Sequence, residues 1–307
     1  MSSFFAALST VGVMLFYAVP GFLLVKSKLV GSDGISNFAK LLMYVCSPML
    51  VLYSFLSIDF SWALVGKMVF AFFFAIGIMV LFVVIFSQIF KKKSTDARYR
   101  IYTLATVFPN CAFMGVPILE AVLPNYPEAL AFSVMFSMAL NISAWTIGSY
   151  VITGDKKYIG VKKVLLNPQV FALLVAIPLF AFGIKLPVKL DNMVTLLGKM
   201  TTPLCMIIMG MRLASTPIKG IFTRPMQYAI IGFKQLILPL LVFLALLPLP
   251  LDPNMKASIY IIFACPVASV ILSFSEMLGE GQETAANMVL LGTSLSALTI
   301  PIMCLLI

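Results

Sequence analysis

The feature that most constrains this chain is a succession of apolar blocks, each about twenty residues long and almost free of charge. Residues 64–90 hold a single charge, Lys67, close to their start. A block of 18 or more such residues reads as a transmembrane helix, because about 20 residues at 1.5 Å each cross the hydrocarbon of a bilayer. The chain is 62% hydrophobic and 10% charged, against about 25% charged in a soluble domain. It has too few charges to cover a soluble surface, so a single soluble core is the poorer reading.

Ten blocks qualify, at 4–25, 38–57, 64–90, 101–122, 129–152, 167–184, 193–213, 225–247, 255–275 and 284–306. The connections between them are short and carry turn residues, as in Gly31-Ser32-Asp33-Gly34 and Pro248-Leu249-Pro250. Span one has no basic stretch before it and no small-residue cleavage pattern, so it is expected to be a retained span rather than a cleaved signal.

The net charge of +10 would suggest nucleic acid in a soluble protein. Here Lys and Arg gather in alternate connections. One set holds Lys26, Lys28, Lys40, Lys91, Lys92, Lys93, Arg98, Arg100, Lys156, Lys157, Lys162, Lys163, Arg212, Lys219 and Arg224. The other holds Lys67, Lys185, Lys189, Lys199 and Lys256, and Lys234 remains inside span eight. The positive-inside rule places the richer set in the cytoplasm and both termini outside it. No nucleic-acid partner is expected. The cysteines Cys46, Cys111, Cys205, Cys265 and Cys304 lie in apolar blocks with no C-x-x-C pair, and His is absent. Neither a disulfide framework nor a His-dependent metal or catalytic site is expected, and the chain does not read as an enzyme.

Five spans per half is an odd number, so two similar halves lie in opposite orientations. The halves are 1–152 and 167–307, joined by a short cytoplasmic connection at 153–166. Pro20 pairs with Pro178, and Cys46-Ser47-Pro48-Met49-Leu50 with Thr201-Thr202-Pro203-Leu204-Cys205. Phe108-Pro109-Asn110 pairs with Cys265-Pro266-Val267, and Pro127-Glu128-Ala129 with Gln282-Glu283-Thr284. The offsets are 158, 155, 157 and 155. Inverted repeats are a common build of secondary transporters; chance alignment of membrane prolines is the bland alternative.

Span four contains Pro109, Gly115 and Pro117, which are expected to break it at mid-membrane. Freed backbone groups in hydrocarbon are costly unless protein or a water-filled cavity satisfies them. A break that forms a ligand site makes sense of that cost, with the amide end suited to a carboxylate. Span nine has Pro266, Ser269 and Ser273 but no second proline, so its break is expected to be softer. A simple kink is the alternative for both. Lys234 is an intramembrane charge and hence a functional candidate that could pair with a substrate carboxylate or occupy the place of a coupling ion; snorkelling is the alternative. Asn141 could hydrogen-bond substrate or bridge helices. Glu120 and Glu276 read as interfacial, solvated groups. Tyr53 could touch a ligand or anchor its span at the interface. The candidate substrate-binding set is Asn110, Cys111, Gly115, Pro117, Asn141, Pro266, Ser269, Ser273 and Lys234.

The string Pro109-Asn110-(x4)-Gly115-Val116-Pro117 resembles the fourth-span crossover of the auxin efflux carrier family, in its bacterial form. Asn167-Pro168, Thr202-Pro203-Leu204, Met209-Gly210-Met211 and Leu290-Leu291-Gly292-Thr293-Ser294 are similar to bacterial members, in the same order along essentially the whole chain. The resemblance implies an all-α polytopic membrane protein of ten helices, built as two inverted five-helix repeats, with helices four and nine broken and crossed. Spans 1, 2, 6 and 7 would form a scaffold and a homodimer interface. Spans 3–5 and 8–10 would form a transport domain that moves like an elevator. It implies a small organic anion as substrate, such as malate, malonate or an auxin-like acid, held by Asn110 and Pro117. A lipid bilayer surrounds it, in the bacterial cytoplasmic (inner) membrane. No cofactor is implied, with a proton or sodium as coupling ion. Sodium-coupled symport, as in the related bile-acid symporter fold, and a sensor that binds without translocating are the alternatives.

Overall fold

A computed structural model describes residues 1–155, 157, 159–216 and 224–307. Lys156 and Lys219 of the cytoplasmic set lie outside the described residues. In chain order the main helices are α1 (Ser2–Lys26), α2 (Gly34–Leu56), α3 (Trp62–Ile89), α4 (Ala97–Ala105), α5 (Cys111–Val122) and α6 (Glu128–Thr153). They continue with α7 (Pro168–Ala181), α8 (Val188–Ser215), α9 (Pro225–Leu246), α10 (Pro253–Ala264), α11 (Val270–Leu278) and α12 (Gln282–Leu306). Seven of them, namely α1, α2, α3, α6, α8, α9 and α12, are long and apolar enough to cross a membrane. The molecule is an all-helical membrane protein.

Helix starts follow local chemistry. Ser61 accepts from the Leu64 amide at the start of α3, Asp96 from Arg98 at α4, Asn167 from Gln169 at α7 and Asp252 from Asn254 and Met255 at α10. Prolines inside helices leave a different mark. Each of Pro48, Pro117 and Pro239 sits two residues beyond a π-helical turn, at Leu42–Cys46, Cys111–Gly115 and Phe233–Ile237. A proline ring clashes with the carbonyl four residues back. Widening the preceding turn relieves the clash without ending the helix.

Packing places α10 at the centre. It is buried on every side from Ala257 to Ala264, as an evenly apolar helix must be. By contrast α3, also apolar throughout, exposes Val69, Phe73, Leu81 and Val84, which face the lipid. Helices α1 and α8 meet backbone to backbone. A methyl group on Gly21 would lie 1.9 Å from the Ile207 carbonyl, and one on Gly210 would lie 1.8 Å from that of Ala18. With no hydrophobic drive between helices in lipid, such close approach supplies the dispersion that holds them. Helix α2 packs on α7 and α8, α3 on α6, and α1 also reaches α5 and α12.

The breaks differ from the sequence expectation in two ways. Span four is interrupted at Thr106–Asn110 only; Gly115 and Pro117 lie inside the continuous helix α5. The π turn and an outside donor, described below, let Pro117 stay helical. Span nine is not softer. It is interrupted as completely, between Ala264 and Val270, with Cys265 extended at φ −57° and ψ 147°. One proline suffices there because the extended residues find backbone partners across the crossing.

Candidate functional site

The two interruptions meet. Pro109 and Val267 form an antiparallel bridge. The Asn110 amide donates to the Pro266 carbonyl at 2.7 Å, and the Ala268 amide donates to the Phe108 carbonyl at 2.9 Å. Each break thus satisfies the other's freed groups, which answers the cost of irregular backbone at membrane depth. The carbonyl ends of α4 and α10 and the amide ends of α5 and α11 converge on this crossing. Helix ends carry about half an elementary charge, positive at the amide end. Asn110 is 7% exposed, and none of the described residues hydrogen-bonds its side-chain amide, which leaves it free for a ligand.

Neighbouring residues complete the crossing. Ser133 on α6 donates to the Cys111 carbonyl at 2.6 Å. Gly115 lies beneath it: a methyl there would come within 3.2 Å of the Ser133 hydroxyl and 3.8 Å of the Cys265 sulfur. Lys234, fully buried on the π turn of α9, donates from Nζ to the carbonyls of Phe263 at 2.6 Å and Cys265 at 3.1 Å. Its Nζ therefore caps α10 rather than snorkelling. Beside it Gln235 donates to the Gly292 carbonyl at 2.7 Å and accepts from Thr299 at 2.7 Å.

Two cavities lie near opposite ends of α2, one against the middle of α8 and one against its C-terminal end. The first, about 370 Å³, lies between α1, α2, α5 and α8 and is lined by Tyr53, Pro117, Glu120, Lys199, Thr202 and Pro203 among others. Tyr53 donates to Glu120 at 2.6 Å, and the Lys199 ammonium stands 5.2 Å from the Tyr53 ring centre. Thr202 donates to the Phe113 carbonyl at 3.0 Å. That carbonyl lies four residues before Pro117, so it is the one Pro117 cannot serve. The second cavity, about 420 Å³, is lined by Lys40, Arg212, Ser215, Thr216, Ser273 and Glu276 among others. Arg212 and Glu276 pair at 3.7 Å. Both volumes fall in the range of small-molecule sites.

Of the nine residues singled out in the sequence, Asn110, Cys111, Gly115, Pro266, Ser269 and Lys234 belong to the crossing. Pro117 opens on the first cavity and Ser273 on the second. Asn141 sits in another network: it donates to Gln169 and accepts from Asn167, while Gln169 also accepts from Ser137 and donates to Ser47. These bonds tie α6 to α7 and α2. Glu120 is not merely solvated, since Tyr53 holds it, and Glu276 is paired with Arg212. Thr202, Ser133 and Lys199 were not among the candidate site residues of the sequence reading. An orphaned carbonyl before Pro117 was the available signal for Thr202; nothing local points to the other two.

Comparison with known proteins identifies the family. The family model described as "Membrane transport protein" matches residues 6–163 and 158–304. A protein of Rhizobium meliloti (strain 1021) bearing the name "Putative malonate transporter" is 24% identical over 255 residues, 79% of this chain and 75% of that protein. With seven helices long and apolar enough to cross a membrane, two interruptions that pair with each other and a family match along nearly the whole chain, this protein belongs to the auxin efflux carrier family of membrane transport proteins.

Proposed function

We propose that the chain is a secondary transporter of a small organic anion, with a short dicarboxylate of the malonate class as the first substrate to test. The observation that carries this reading is the crossing itself. Two amide helix ends, the unpartnered Asn110 side chain and the buried Lys234 cation lie together, and each favours negative charge. The name of the 24% identical relative supports malonate as a probe.

Ten spans in two inverted five-helix repeats fit the twelve helices if α4 with α5 and α10 with α11 each count as one broken span. Crossed breaks then stand at equivalent places in the two halves. In this reading α1, α2, α7 and α8 are the scaffold and the homodimer surface, and the remaining helices are the transport domain. The two cavities, near opposite ends of α2, are the two openings between them. The transport domain slides so that the crossing faces one cavity and then the other, in elevator fashion. The termini lie outside the cytoplasm of a bacterial inner membrane, by the loop charges.

A thermal-shift panel of carboxylates on purified protein tests the substrate class. A small dicarboxylate should raise the midpoint in proportion to the logarithm of its concentration above Kd. Stabilisation by neutral amides of the same shape, and not by the acids, refutes the anion reading.

A further inference from the structure

Four glutamates fall into two matched sets. At the offset of 155–158 residues that relates the two halves, Glu120 corresponds to Glu276 and Glu128 to Glu283. Their partners correspond as well. Tyr53 donates to Glu120 at 2.6 Å, and Arg212 pairs with Glu276 at 3.7 Å. Lys67 pairs with Glu128 at 3.3 Å, and Arg224 with Glu283 at 3.1 Å. Tyr53 and Arg212 are 159 residues apart, and Lys67 and Arg224 are 157 apart. The spacing read from the prolines thus recurs in polar contacts between helices distant in sequence.

The two sets differ in what they join. Lys67 and Glu128 tie α3 to α6, while Arg224, at the start of α9, pairs with Glu283 of α12. In the carrier reading all four helices belong to the transport domain, so these pairs travel with it. Tyr53 on α2 and Arg212 on α8 belong to the scaffold, whereas Glu120 on α5 and Glu276 on α11 each lie on the helix that leaves a break. Each of these two carboxylates lines one of the two cavities. A sliding step carries α5 and α11 past α2 and α8, so neither contact outlasts the step unchanged.

The two contacts between scaffold and transport domain are also unequal. The Tyr53 hydroxyl at 2.6 Å makes a full charge-assisted hydrogen bond to Glu120. The Arg212–Glu276 pair is stretched to 3.7 Å with the glutamate side chain 59% exposed, and an ion pair so solvated holds little. Inverted halves give two end states of related geometry. A contact that is tight in one half in one state is then slack in that half in the other.

We propose that Glu120 and Glu276 are twin latches between the transport domain and the scaffold, one at each opening, and that one is tight while the other is slack. In this structure the latch on the non-cytoplasmic side, Tyr53–Glu120, is shut, and the cytoplasmic one, Arg212–Glu276, is slack; the sides follow from the loop charges. The proposal rests on the carrier reading for its two openings and not for its substrate. Both glutamates are positioning residues, which set the side that the crossing faces.

The test uses purified full-length protein in lipid nanodiscs, where both faces meet solvent. The five native cysteines are buried, so a reporter cysteine is read above a low background. Thr10→Cys reports on the first cavity and Ala286→Cys on the second. The rate of modification by N-ethylmaleimide, an uncharged reagent, is measured for each. Glu120→Gln should raise the ratio of the Thr10→Cys rate to the Ala286→Cys rate by about threefold or more, and Glu276→Gln should lower it by as much. Threefold is the population shift for about 0.6 kcal/mol, the average worth of an interhelical polar bond in a membrane protein. Tyr53→Phe and Arg212→Gln, which remove the partners instead, should repeat the two shifts and serve where a glutamate variant does not fold. Glu128→Gln breaks a pair within the transport domain and should leave the ratio unchanged. Any pattern other than a rise with the first variant and a fall with the second overturns the proposal, as does an equal shift from Glu128→Gln. Malonate added to the wild-type reporters separates the two readings. If it alters neither rate, malonate fails as the substrate, while the ratios still judge the latches.

Discussion

Thr202 and Pro117 offer a double-mutant cycle whose outcome follows from one hydrogen bond. Pro117 has no amide to give the Phe113 carbonyl, and Thr202 supplies the missing donor from α8 at 3.0 Å. Thr202→Val keeps the shape and removes the donor. A buried carbonyl left without a partner costs about 1–3 kcal/mol. Interhelical polar bonds in membrane proteins average about 0.6 kcal/mol and reach about 1.7. Thr202 is 8% exposed and lines a cavity, so water can partly replace it, and about 1 kcal/mol is the working figure. That corresponds to a fall of about 2–4 °C in midpoint. In a Pro117→Ala background the backbone amide regained at that position serves the Phe113 carbonyl itself, and Thr202→Val should then cost close to nothing. The coupling, measured by thermal or detergent unfolding of all four proteins, should be about 1 kcal/mol. Equal costs of Thr202→Val in both backgrounds would refute the argument that Thr202 replaces the donor lost at Pro117.

Three further outcomes can be checked. Asn110→Ala should weaken malonate binding by about tenfold or more, the worth of a hydrogen bond to a charged acceptor, with a nearly unchanged midpoint; unchanged affinity in a thermal-shift titration removes Asn110 from the site. Gly210→Ala forces a methyl to within 1.8 Å of the Ala18 carbonyl, a backbone atom that cannot swing aside. It should cost about 2–3 kcal/mol in unfolding experiments, and a wild-type midpoint would show that α1 and α8 pack less closely than described. Asp96 caps α4, and the hydrogen bond from Arg98 holds its carboxyl below the usual carboxylate range. A depressed folded value means stability present above the unfolded pKa and lost as pH falls through the folded one. Asp96→Ala should therefore lower the midpoint at pH 7, by about 1 kcal/mol for a lost cap, and the gap should close towards pH 3.

Much of the fold was legible because lipid allows few solutions. Eight of the apolar blocks become one helix each and two become an interrupted pair, and the observed ends lie within a few residues of the block limits. The place of the first break was legible from Pro109. Its extent was not, because whether Gly115 and Pro117 continue a break or resume a helix depends on Thr202, 85 residues further along. Span nine departs from expectation for a related reason. A helix end is decided there by pairing with Phe108 and Asn110, and a local count of prolines cannot see that. Lys234 was recognisable as a buried charge, but its partner was hidden because backbone carbonyls leave no trace in sequence. The Asn141 network was half visible: the amide stood out, while its partners Gln169 and Asn167 come from the start of another span.

The most direct test of the anion-carrier reading is uptake of radiolabelled malonate into proteoliposomes containing the purified protein. Saturable uptake is predicted, competed by unlabelled short dicarboxylates and abolished or strongly reduced by Asn110→Ala. Protein-free rates for malonate and for every other small organic anion tried, from a reconstituted protein with a native midpoint, would contradict it.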